Sequence, residues 1–116
     1  MLDKHNELRR KVSKGQQAGQ PPAANMRKMV WNTELEGIAQ RWADQCTFDN
    51  DELRIKKDLT SVGQNGYVLY GAFKLSKEEV QKSLVFIPQA WYDEVTNPGV
   101  DLKTITKFRQ VFSNLR

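Results

Sequence analysis

The 116-residue chain contains one cysteine and one histidine. With Cys46 alone, no disulfide can close within it, so burial and hydrogen bonding must hold it together. Cys46 falls on the apolar face of a helical segment. It reads as a buried, inert thiol, or as half of a bridge to something outside the chain. His5 cannot by itself supply the converging ligands of a zinc site, and reads as a hydrogen-bonded structural residue. No nucleophile elbow places a serine near it. Gly63-Gln64-Asn65-Gly66 is too short and wrongly spaced for a phosphate loop. The apolar runs are far too short to span a bilayer. Asp3, Lys4 and His5 interrupt any signal-peptide core at the N-terminus. Composition leaves a cytosolic chain and a processed secreted chain equally open.

What is present is ordinary for a globular protein. Hydrophobic residues make up 39% and charged residues 28%, which argues against wholesale disorder. The length points to one domain, residues 1–116. Lysine and arginine outnumber acids 18 to 14, for a net charge of +4. The densest basic group is Arg9, Arg10, Lys11 and Lys14, with Asp3 and Glu7 beside it. The basic residues are otherwise scattered and no aromatic ladder accompanies them, so a nucleic-acid surface is not indicated. They read as a solvated face with some affinity for anionic surfaces.

Hydrophobic periodicity predicts a first helix over 2–14, with His5, Leu8 and Val12 on a narrow face and Gly15 as its stop. Residues 15–25 hold two glycines and two prolines and read as a loop. Residues 33–46 give the clearest helix. Thr33 and Glu36 form a capping-box pattern, and Leu35, Ile38, Ala39, Trp42 and Cys46 form a wide apolar stripe. Residues 49–61 read as a polar loop. Residues 62–70 read as a strand, in which Gly63 and Gly66 mark a bulge or a close backbone approach. Ser76 and Glu79 form a second capping box ahead of Val80 and Leu84. Pro88 is expected to interrupt that helix and start another, which carries Trp91 and Val95 on one face and ends at Asn97-Pro98-Gly99. Ile105, Phe108, Val111 and Phe112 suggest an apolar anchor. A lone strand cannot satisfy its own backbone, so it must pair elsewhere.

Several separated segments then line up with one family. His5-Asn6-Glu7-Leu8-Arg9 resembles the first-helix signature of CAP proteins, which include venom allergens, cysteine-rich secretory proteins and plant pathogenesis-related proteins. Pro22 to Met26, Met29-Val30-Trp31-Asn32, Leu35 to Cys46, Val62-Gly63-Gln64-Asn65 and Trp91-Tyr92-Asp93-Glu94-Val95 follow in the family's order. The resemblance implies an α+β fold, the CAP-type α/β/α sandwich. It also implies truncation before the later strands, because the family would continue past Phe108–Arg116 into a Gly-His-Tyr-Thr-Gln segment.

Many CAP proteins carry two His and two Glu around a cleft able to bind a divalent metal. The resemblance puts Asn50 at the first His position, Gln64 at the first Glu and Glu94 at the second Glu; the last His would fall beyond Arg116. Asn and Gln are poor zinc ligands and cannot act as general bases at neutral pH. No metal, cofactor or catalytic residue is therefore expected, and Glu94, Gln64 and Asn50 are retained as ligand-binding candidates. The resemblance further implies a secreted, extracellular, non-enzymatic protein that binds a sterol or fatty acid, or an extracellular protein target. The alternatives are a metal-dependent or protease-like enzyme, and a fragment with a structural or antigenic role. Arthropod relatives join the equivalent of Cys46 to an N-terminal extension that has no counterpart here.

Overall fold

The computed structural model describes residues 1–69 and 74–96. Three helices follow in order: α1 (Leu2–Ser13), α2 (Thr33–Ala43) and α3 (Lys77–Asp93). The chain divides into two compact units, one combining Met1–Met29 with the chain from Ser76 onward, the other spanning Val30–Leu75. The Asn97-Pro98-Gly99 stop and the apolar anchor at Ile105 to Phe112 lie outside the described residues.

In the first unit α1 packs on α3. Leu8 is buried at the centre of the α1 face. His5 meets Trp91 with ring centroids 6.0 Å apart and planes tilted by 50°. The Lys11 ammonium lies 5.3 Å from the centre of the Tyr92 ring, a cation–π contact. The Tyr92 hydroxyl donates to Gln17 Oε1 at 2.6 Å. Burial, with the charge of Asp93 second, raises the Tyr92 phenol above its ordinary range. The expected Gly15 stop is present and its mechanism is visible. Gly15 adopts φ +67°, its N–H donates to Val12 O at 2.9 Å, and the Gln16 N–H donates to Lys11 O at 3.0 Å. This pair of bonds satisfies carbonyls that the helix end would leave open.

The loop after Gly15 is tied back to α1 by side chains. Asn6, buried, donates from Nδ2 to Met29 O at 3.0 Å and accepts from Met29 N–H at 2.8 Å. Its amide thus pairs with the Met29 peptide groups as a neighbouring strand would. Arg9 donates twice to the Arg27 carbonyl, from Nε at 2.9 Å and from one terminal nitrogen at 2.7 Å. His5 Nδ1 lies 3.1 Å from Met1 O, the structural role expected of it.

The Ser76–Glu79 capping box forms as expected. The Glu79 N–H donates to Ser76 Oγ at 3.2 Å, and the Ser76 N–H donates to Glu79 Oε2 at 2.7 Å. The Ser76 N–H, above all, holds the Glu79 carboxyl below its ordinary range. The expected break at Pro88 does not occur: α3 runs through it to Asp93. Proline removes one bond to the preceding turn and crowds a carbonyl, at a cost of about 3 kcal/mol. Here the ring is the most completely buried side chain among the described residues, and that burial offsets the loss.

In the second unit the cap of α2 differs from expectation by one residue. Asn32 rather than Thr33 caps the helix, its Oδ1 accepting from the N–H groups of Glu34 at 2.9 Å and Leu35 at 3.1 Å. The helix also ends at Ala43, not at residue 46. The N–H groups of Gln45 and Cys46 bond to carbonyls only three residues back, at 3.1 and 3.0 Å. That tighter winding leaves Cys46 at φ +54° and exposed. The reading of Cys46 as a buried thiol is corrected accordingly.

No strand forms among the described residues. The expected strand over 62–70 is open chain as far as residue 69, and residue 70 is outside the described residues. A strand exists only with a neighbour to bond, and the one isolated bridge joins Ile55 to Ser61. Gly66 does show the expected close approach: a Cβ there would stand 3.0 Å from the Phe48 ring. Between Ile55 and Ser61 the chain turns at 56–60, where the Lys56 N–H donates to Thr60 O at 3.0 Å. The Lys56 ammonium at 2.7 Å and the Thr60 N–H at 3.0 Å converge on the Asp58 carboxylate. They lower its pKa from 3.8 to about 2, the Lys56 bond contributing most.

Asn6→Ala removes both bonds to Met29 and should cost about 1–2 kcal/mol in urea unfolding, with Asn6→Asp intermediate because it keeps only the acceptor. Because the native pKa of Asp58 is depressed, its contribution to the turn is fully present above pH 3.8 and is lost as pH falls through about 2. Carboxyl carbon NMR titration should place the native midpoint at about 2, moving back toward 3.8 in Lys56→Ala. A native midpoint at 3.8 would contradict the geometry.

Candidate functional site

The stripe of α2 is not covered by other described residues. No residue of the helix is fully buried, and the stripe instead forms one wall of an open trough of about 880 Å³. Leu35, Ile38, Ala39 and Trp42 line it from the helix, and Val62, Tyr67, Val68 and Leu69 from the extended chain. Asp51, Arg54, Gln64 and Asn65 add polar groups to a mainly apolar lining. A concave, mostly apolar space of this size with a few fixed polar groups is what a small hydrophobic ligand requires.

The polar groups are held by one another. The Asp49 carbonyl accepts from Trp42 Nε1 at 2.8 Å and from Gln64 Nε2 at 3.3 Å. Gln64 Oε1 accepts from the Asp51 N–H at 2.9 Å. Both ends of the Gln64 amide are thus engaged in fixing residues 49–51. Asp51, buried, accepts from the Leu53 N–H at 2.8 Å and faces Arg41 at 3.5 Å. Arg54 donates to Asp51 O at 2.6 Å and to Val62 O at 2.9 Å, bridging the two ends of the intervening loop.

Of the residues singled out from sequence, Gln64 lines the trough. Asn50 is exposed beside it in the chain, its N–H bonded to Asp49 Oδ1 at 2.7 Å, and it does not contribute to the lining. Glu94 is the exposed cap residue at the end of α3, in the other unit. Asp51 and Arg54 are the residues that sequence reasoning missed. They sit in a polar stretch with no periodicity to flag them. The one available signal was the Asp51-to-Leu53 spacing of a side-chain-to-backbone turn.

A divalent metal does not fit this donor set. Gln64 spends its amide on the backbone, and among the described residues no three His, Cys, Asp or Glu side chains come together. Among the described residues no helix is long and apolar enough to cross a membrane.

The chain belongs to the CAP family: it matches the Cysteine-rich secretory protein family over residues 2–114. Venom allergen 5 of Microctonus hyperodae is 35% identical over 97% of this chain and 48% of the relative. Venom allergen 5 of Dolichovespula arenaria is 38% identical over 88% of this chain and 51% of its own length. Cysteine-rich secretory protein 2 of Homo sapiens is 38% identical over 82% of this chain and 32% of the relative. The chain thus spans about half, or less, of these curated relatives. No solved structure matches it. The matched signature has a physical meaning here, since Asn6 and Arg9 tie the Met29 and Arg27 backbone to α1.

Gln64→Glu keeps the acceptor for the Asp51 N–H but loses the donor to Asp49 O, and should destabilise the second unit by about 1 kcal/mol. Zinc calorimetry on that variant should show no stoichiometric binding. Tight one-to-one binding would contradict the donor-set argument.

Proposed function

We propose that this is a secreted, extracellular, non-enzymatic CAP-family protein, venom-allergen-like, that holds a small hydrophobic ligand such as a fatty acid or sterol in the α2 trough. The observation that carries this reading is the uncovered stripe Leu35, Ile38, Ala39 and Trp42, which lines a space of about 880 Å³. Gln64 is the polar contact in the wall, whereas Asn50 is outside the lining and Glu94 belongs to the other unit. Residues 1–116 correspond to the N-terminal portion of a single domain of the α/β/α-sandwich type. The family relatives support this assignment, and the covered half of their length fits it. An extracellular protein docking on the same apolar wall is the second reading, since the exposed Trp31 and Phe48 are also available to a partner.

Titration with a long-chain fatty acid should produce a saturable change in tryptophan fluorescence. Ile38→Glu places a charge in the apolar wall and should weaken binding about tenfold or more, while leaving the helical circular dichroism intact. A flat titration of the native chain counts against the lipid reading.

A further inference from the structure

The first unit carries a second concavity, unrelated to the apolar trough. It is a cleft of about 260 Å³ between α1 and the segment before Met29, lined by Asn6, Arg9, Arg10, Ser13, Met26 and Lys28. Three of its six lining residues are cations and none is acidic. The ion pairs among the described residues engage Lys4, Arg41 and Lys56, and none engages a cleft cation. Glu7, the nearest acid along α1, is taken by Lys4 at 2.8 Å.

Arg9 is held in place without being neutralised. Its two bonds go to a backbone carbonyl, at 2.9 and 2.7 Å, so its full charge and three of its five N–H donors stay available. A guanidinium fixed in this way loses little side-chain freedom on binding, and it matches a tetrahedral oxyanion through paired donors. Arg10 and Lys28 are exposed, and their side chains take no hydrogen bond or ion pair among the described residues.

We propose that this cleft binds the sulfate groups of a sulfated glycan. Convergent cations without carboxylates call for an oxyanion ligand. No aromatic side chain lines the cleft to stack a nucleic-acid base. Met26 is its single large apolar residue, too little to anchor a bilayer surface. A linear sulfated sugar, polyanionic and without an apolar portion, fits what remains. The site is independent of the lipid reading, and either can fail alone.

The test is fluorescence polarisation with a labelled heparin-derived hexasaccharide at low ionic strength, using the whole chain. Arg10→Gln combined with Lys28→Gln should weaken binding about tenfold or more, and the control pair Lys77→Gln with Lys82→Gln by less than about twofold, although both remove the same charge. Arg10→Lys should retain most of the affinity, and thermal melts should confirm that all variants fold. Desulfated hexasaccharide should not bind. Equal weakening by the two double variants would overturn the proposal in favour of diffuse charge. It is equally overturned by absence of hexasaccharide binding, or by tighter binding to phosphatidylserine vesicles.

Discussion

The first unit depends on a side-chain amide doing the work of a strand. Between Gly15 and Met29 the chain has no helix or strand, so its backbone groups have no regular pairing. A buried backbone without partners is costly. Asn6 meets that requirement at Met29 by giving and receiving one bond each. Arg9 adds two more at Arg27. With the loop held to α1, α1 held to α3 by His5–Trp91 and Lys11–Tyr92, and the loop itself held to α3 by Gln17–Tyr92, three distant stretches of sequence become one body. The residues that make the family signature are therefore mostly structural. The same arrangement sets Arg9 rigidly in a cleft where nothing neutralises it.

The second unit uses the same principle in a different form. Asp49 O, Asp51 O and Val62 O are acceptors that Trp42, Gln64 and Arg54 reach with donors, and Gln64 Oε1 in turn accepts from the Asp51 N–H. These bonds shape the floor of the trough, while α2 supplies its apolar wall. Gln64 is the position that the family resemblance aligns with a carboxylate. Here its neutral amide can both give and receive, which a carboxylate cannot, and it is used for shape.

The helices were legible because their signals are local. Apolar spacing located all three, Gly15 marked one stop, and Ser76 with Glu79 marked one start. Errors arose where two local signals competed or where packing decided. Asn32 outcompeted Thr33 as cap because its carbonyl reaches two N–H groups at once. Pro88 is tolerated because its ring is buried, which no window of sequence reveals. Cys46 is exposed rather than buried because the stripe it extends is itself open, as the wall of the trough. The extended segment at 62–69 has strand-forming residues but no neighbour among the described residues. The site was legible in part. Gln64 was flagged through the family resemblance, whereas Asp51 and Arg54 act through partners eight to thirteen residues away, and their stretch has no periodicity.

Arg54 closes the base of the loop from inside, between Asp51 O and Val62 O. Beyond that closure the 56–60 turn projects outward, with Leu59 84% exposed at its tip. Its residues contribute nothing to the trough lining. The Lys57 N–H donates to Glu34 Oε1 at 2.6 Å, which ties one side of the turn to the first turn of α2 and leaves the exposed Leu59 tip as the part free to vary. Change at the tip can therefore alter the exposed surface of the unit while the trough lining stays the same.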